Sequence, residues 1–343
     1  MKKNTGVAPS PKLQPHMLLV LLVLLMLLLP ASLGTLTGCG GKYDKPLETS
    51  FAPRLSIYIY TKGHSGFDGA GSFGMNDGWM FVAYPDSGRF NAYFATAKVI
   101  PFVSFAGFTS PVVVGVGGSE VAVADTAGGI AVKVYSTDGG DPVREITDKE
   151  WLETGGLTID NGGNLYVSDT GRNFIRCYTP AGKVRFGEDL ADSGFGIGHV
   201  LSPRGIFYCE TDNLLYIAEA GPEKAQVQRI RTDQPQTGVP FSPVKPFLRN
   251  FIDTLDVEKQ LVEPVAVAVN DSMRIFVLDA FYGWIIEFDE EGNTTAIVTA
   301  PSSGGPISLE DANSLGTYLN RVYALEPATD TIHRWDREKP VSR

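Results

Sequence analysis

Acidic residues recur in one repeating context along the chain: Asp125, Asp169, Glu219 and Asp279 each close a run of alternating apolar residues. Glu326, and Asp86 just past Tyr84, hold the corresponding places in two weaker copies. A carboxylate at such a strand end, followed by turn residues, is suited to accepting backbone N–H bonds in that turn. Where several such acids converge, the same oxygens suit a hard cation, since calcium takes about six to eight oxygen ligands. Turn capping is the preferred reading, with a ligand or cation site as the other. Histidine offers little acid–base chemistry: His16, His64, His199 and His333 are scattered, and only His199 falls in a connection near another candidate, Arg204. No HExxH, GxSxG or CxxCH pattern occurs, so zincin, α/β-hydrolase and c-type haem chemistries lack their motifs.

The elements that must position these residues are clearest from Gly156 to Gly182. Three short alternating runs, Leu157 to Ile159, Leu165 to Val167 and Phe174 to Tyr178, are separated by Gly-, Asn-, Asp- and Pro-rich turns. That pattern predicts an antiparallel meander. Copies align on the ends of their second runs at positions 84, 125, 169, 219, 279 and 326. A proline recurs before the first strand, at Pro111, Pro203, Pro264 and Pro306. Repeats of this length, each too small to bury its own apolar faces, predict propeller blades.

The stretch from Gly156 to Gly182 closely resembles an NHL repeat, with a strand ending in Asp169, a Gly-Asn-rich turn, and a strand carrying Ile175 and Tyr178. The resemblance covers roughly residues 54–338 and is strongest in the third to fifth copies. It implies an all-β, six-bladed β-propeller of four-stranded antiparallel blades. Residues 54–60 (Arg54 to Tyr60) alternate but belong to no complete repeat. They are expected to close the ring as the outer strand of the last blade, which removes an exposed sheet edge.

Residues just before each first strand are expected near the channel: Ser110, Glu153, Arg204, Glu263 and Asp311. With His199, the residues Glu153, Arg204 and Glu263 are the candidates for ligand or partner contacts on the open face. A likeness to gluconolactonase-type propellers would imply a channel calcium held by Glu, Asn and Asp. Glu153 and Glu263 would then contribute, but the channel Asn residues of that family have no counterpart here. A solvated funnel wall is the preferred reading for both acids, and Arg204 is placed to pair with a neighbouring acid. The resemblance to amidating-lyase propellers stops at the fold, because the several His ligands of a zinc site are missing. NHL propellers are most often binding platforms, so a non-catalytic platform without a cofactor is expected. The alternative is a calcium- or metal-dependent hydrolase or lyase using the channel, and a solute-binding propeller is a third reading.

Outside the repeats, residues 1–16 carry Lys2, Lys3 and Lys12 with no acid, and Met17 to Leu29 is an unbroken apolar run. This predicts a secretory signal over residues 1–38, whose apolar run is too short to be a comfortable membrane span. Leu36-Thr37-Gly38-Cys39 resembles a bacterial lipobox, which implies lipidation of Cys39. Residues 39–53 then form a lipid-anchored linker and residues 54–343 the propeller. The expected location is the cell envelope, at the outer membrane if the host has two membranes. The whole chain has a formal net charge of −10. Without Lys2, Lys3 and Lys12 it would hold 26 basic against 39 acidic residues. With no basic stripe interleaved with aromatics, nucleic acid is excluded as a partner. The expected partners are a membrane through the N-terminal lipid, and a protein or small molecule. The longest insertion, Arg231 to Glu263, is expected to carry an amphipathic helix through Leu248, Phe251, Ile252, Leu255, Val257 and Leu261. Cys177 and Cys209 are expected to be buried free thiols, because first and third strands of adjacent blades are not usually within bridging reach.

Overall fold

A computed structural model describes residues 58–95, 101–196, 198–221, 224–233, 246–247, 261–290, 292, 294–298 and 309–337. The segment 1–38, Cys39, the linker 39–53, residues 54–57, Pro306 and the stretch 248–260 lie outside the described residues. No described helix is long and apolar enough to cross a membrane.

The described strands form six antiparallel sheets, so the chain is an all-β, six-bladed propeller. Blade 1 comprises Ser72–Asn76, Trp79–Tyr84, Arg89–Phe94 and Val103–Phe105. Blade 2 comprises Pro111–Gly117, Glu120–Asp125, Ala131–Ser136 and Arg144–Thr147. Blade 3 has Thr154–Ile159, Leu165–Asp169 and Phe174–Tyr178. Blade 4 comprises Pro203–Cys209, Leu214–Gly221, Lys224–Arg231 and Pro246–Phe247. Blade 5 comprises Pro264–Val269, Ile275–Asp279, Trp284–Phe288 and Thr294–Val298. Blade 6 takes Ser314–Tyr318, Arg321–Glu326 and Thr331–Arg337 from the C-terminal end, and Tyr58–Ser65 as its outer strand.

The closing strand pairs Tyr58 with Arg337 and Ser65 with Thr331, with a bulge between Tyr60 and Lys62. It therefore runs further than the alternating residues 54–60 suggest, through Gly63 to Ser65. Pairing along the last blade's third strand holds Gly63 extended opposite His333 despite its low strand propensity. The fourth position of blade 3 is the irregular one. There the chain from Val184 to Ala191 makes only isolated bridges, Tyr178 to Val184 and Ile175 to Ala191. Arg176 holds this segment through Asp189 at 2.5 Å, and reaches Asp148 at 2.7 Å and Glu150 at 2.8 Å in the connection from blade 2.

Each blade buries both of its faces, and the core is accordingly divided into six clusters, one at every boundary between neighbouring blades. Strand alternation does the sorting. In blade 3, Leu165 and Val167 pack toward blade 2, whereas Tyr166 between them packs toward blade 4. A blade alone would expose both of these surfaces and an open row of blades one at each end, which is the physical reason for a closed ring. Cys177 lies in the cluster between blades 3 and 4, and Cys209 in the one between blades 4 and 5. Both are free and buried, with the sheet of blade 4 between their packing surfaces.

Candidate binding face

Two faces of the disc differ in construction. On one, here the hairpin face, short turns join first to second strands. On the other, the carboxylate face, second strands end and each chain connection turns into a first strand.

The repeating acids lie on the carboxylate face, each opposite the first residue of its own blade's first strand: Asp125 across from Pro111, Asp169 from Thr154, Glu219 from Pro203 and Asp279 from Pro264. A register shift follows in each of these four pairs, so the residues just before the first strand curl over the acid. Asp125 accepts the amides of Thr109 at 3.0 Å and Ser110 at 2.8 Å. Asp169 accepts those of Leu152 at 2.6 Å and Arg172 at 2.8 Å. Asp279 accepts those of Val262 at 2.8 Å and Glu263 at 3.3 Å. Glu219 reaches the Leu201 amide at 2.8 Å with one oxygen, while Gln226 and Gln228 donate side-chain N–H groups to the other. Glu326 instead pairs with His333 Nε2 at 2.7 Å and accepts the Thr329 hydroxyl. In blade 1 the register position is occupied by Tyr84, whose hydroxyl meets that of Tyr93 at 2.6 Å. Asp86 sits beyond it in an exposed 3-10 turn, so the ring of acids has a gap there.

Burial and hydrogen bonding pull these carboxyls in opposite directions. At Asp125 burial raises the pKa, but the amides of Ser110, Thr109 and Ala127, with Lys133 nearby, outweigh it and hold the carboxyl below its ordinary value. At Asp279 burial wins over its backbone donors and the pKa is raised.

The remaining candidates are dispersed over this face. Glu153, exposed, and Arg204, half-buried, approach to 3.6 Å across the boundary of blades 3 and 4, a pair worth at most about 1 kcal/mol. His199 pairs through Nδ1 with Asp192 in the connection between the same blades, and its carbonyl accepts from Gln228. Glu263 is exposed at the start of blade 5, its carbonyl accepting the Ala280 amide. Among the described residues, no group of three or more His, Cys, Asp or Glu is arranged to hold a metal ion.

The channel cavity differs from the sequence expectation. Its volume is about 290 Å³, and its lining reaches the hairpin-face turns at Asp77, Gly118, Glu210, Asp271 and Leu319. Ser110, Glu153, Arg204, Glu263 and Asp311 are not part of it. The inner strands come too close for the channel to be wide: a Cβ on Gly117 would lie 1.8 Å from the Ile159 carbonyl oxygen.

Sequence reasoning missed what these acids present. The residues whose amides they hold, or that follow them, include exposed apolar side chains: Leu152 at 60%, Val262 at 38% and Phe281 at 59% exposure. Phe195, in the connection beside His199, is 65% exposed. The available signal was an apolar residue two positions before Thr154 and before Pro264, where the alternation has not yet begun.

No family model matches this sequence, and no curated protein matches it either. Among solved structures, the chain is similar to one in the crystal structure of a nidogen/laminin complex, with 15% identity and a TM-score of 0.50. The match covers 66% of this chain and 79% of that one. At this identity the likeness is one of fold.

Proposed function

We propose that this NHL-like propeller is a lipid-anchored, extracytoplasmic binding platform without catalytic activity of its own, whose carboxylate face contacts a protein partner. The carrying observation is the way Asp169 and Asp279 use their oxygens. They hold the backbone that presents Leu152, Val262 and Phe281 outward, so the acids serve scaffold geometry and the apolar side chains are left for contact. Pre-fixed apolar groups rimmed by charges such as Glu153, Arg204 and Glu263 match the make-up of protein-binding surfaces. Supporting the reading, the fold is shared with a chain that sits in a nidogen/laminin complex. The lipobox-like sequence ending at Cys39 supplies the anchor, placing the protein in the cell envelope and, in a host with two membranes, at the outer one. Charge supports the same exclusion as before: a strongly acidic chain is no partner for nucleic acid.

Photocrosslinking tests the platform. A benzophenone amino acid at position 281 or 152 in intact cells is expected to give a discrete adduct, lost on Arg204→Glu or Val262→Asp at the same face. Adducts of equal yield from Val143, on the opposite side of the disc, overturn the assignment of the face. Stoichiometric calcium retained after dialysis, and lost in Glu153→Gln and Glu263→Gln, overturns the non-catalytic reading.

A further inference from the structure

The hairpin face carries a feature that the platform does not use. Trp79, Phe94 and Phe102 of blade 1 form an aromatic triad, with ring centroids 4.1, 4.9 and 5.1 Å apart. Trp79 and Phe94 are register partners at the hairpin-face ends of the second and third strands, and Phe102 precedes the fourth. Trp79 packs against the core between blades 1 and 2, but the two phenylalanines do not: Phe94 is 41% exposed and Phe102 63%. Blade 6 continues the patch. A Cβ on Gly78 would lie 2.8 Å from the Tyr318 ring, and the neighbouring Leu319 is 55% exposed. Leu319 has φ +56°, a left-handed conformation that costs an ordinary side chain about 1 kcal/mol. An outward leucine at a strained turn of the blade next to the three clustered rings is costly in water and suited to an apolar medium.

The position of the N-terminal strand says which medium. Tyr58 pairs with Arg337, at the hairpin-face end of blade 6, whereas Ser65 lies at the carboxylate-face end. The chain therefore enters the propeller from the hairpin face, at the blade adjoining the aromatic triad. Only residues 40–57 separate Tyr58 from Cys39, at most about 60 Å if fully extended. Arg321 and Arg337 lie at the same end of blade 6, partnered at 3.2 Å by Asp336 and at 3.8 Å by Glu287.

We infer that the sector of the hairpin face formed by blades 1 and 6 rests on the membrane, with Trp79, Phe94, Phe102 and Leu319 at the lipid interface. This rests on the anchored reading above. Aromatic side chains favour the headgroup region, and arginines lie well beside anionic headgroups. Glu210 and Asp271, in the hairpins of blades 4 and 5 at the channel mouth, oppose flat contact, so the disc is tilted onto the sector of blades 1 and 6, with Asp77 at its inner edge. The carboxylate face then points away from the bilayer, toward partners.

The test places one added indole on each face of the full-length chain, reconstituted in phosphatidylethanolamine–phosphatidylglycerol vesicles: Phe102→Trp and Phe281→Trp. Read as the difference from the parent protein with its four tryptophans, quenching by lipids brominated on their acyl chains is expected to be about threefold or more stronger for the added indole at position 102, and iodide quenching stronger for the one at 281. Intact mass of the same protein reads acylation of Cys39 separately. An acylated protein whose indole at 102 is quenched by iodide and not by bromine keeps the anchor and overturns the docking. Bromine quenching at 281 instead reverses the face and overturns it too. An indole at 102 shielded from both quenchers places a second protein copy there and also overturns it. Bromine quenching at 102 with unmodified Cys39 supports the docking and removes the lipid anchor.

Discussion

Asp169 Oδ2 accepts the backbone amide of Leu152 at 2.6 Å, while the Leu152 side chain stands 60% exposed on the same face. The acid is fully buried and the leucine is not, the reverse of what their side chains would choose separately. The hydrogen bond explains the inversion. The carboxylate fixes the chain just before the first strand of blade 3, and the leucine must point wherever that backbone leaves it.

Removing such an acid should therefore cost stability and presentation together. Asp169→Ala leaves the amides of Leu152 and Arg172 unpaired and is expected to destabilise the fold by about 1–3 kcal/mol. Urea unfolding measures it. A cost below experimental error would mean that water replaces the carboxylate freely.

The two pKa directions predict opposite responses to acid. Asp125 and Asp148 are held below the ordinary carboxylate value, so their contribution is complete above the unfolded pKa of about 4 and is lost as pH falls below it. Asp279 is raised, so protonation favours the folded state and its charge opposes folding at neutral pH. Asp279→Asn should accordingly lower the melting temperature less at pH 7 than Asp125→Asn does. The order should narrow as pH falls toward 4. Scanning calorimetry of both variants across this window checks the sign.

Close contact of the inner strands gives a steric prediction. Gly117→Ala drives a methyl into the Ile159 carbonyl, which belongs to backbone and cannot rotate away. A loss of about 1–3 kcal/mol or more is expected, with the boundary of blades 2 and 3 opening first. Hydrogen exchange in Pro111–Gly117 and Thr154–Ile159 locates the damage.

Burial pushes the Cys177 and Cys209 thiols up to about 11. Neither should react with a thiol reagent at neutral pH until the protein unfolds, and non-reducing electrophoresis should show no bridge between them. Rapid modification of either in the native protein would mean that its blade boundary opens readily.

Repeats, blade number and the identity of the closing segment could all be seen in the sequence, because alternation and turn chemistry are local and the six copies reinforce one another. The ends of second strands at Asp125, Asp169 and Asp279 fall where the alternating runs stop. The irregular edge of blade 3 was not visible, since Arg176 draws its carboxylates from residues 148, 150 and 189. The alignment on Tyr84 did hold, and it is Asp86, two residues on, that fails to join the ring of acids.

By itself, the sequence determined that this chain must form meanders and that each meander needs neighbours on both sides. Period-2 alternation with apolar residues on both faces allows nothing else. Which residues meet across blades was decided only by closure of the ring. It brought Arg204 to Glu153 and placed Tyr58 opposite Arg337 at the hairpin face. Those relations join residues far apart in the chain, and they follow from strand direction and ring geometry, which no local pattern encodes.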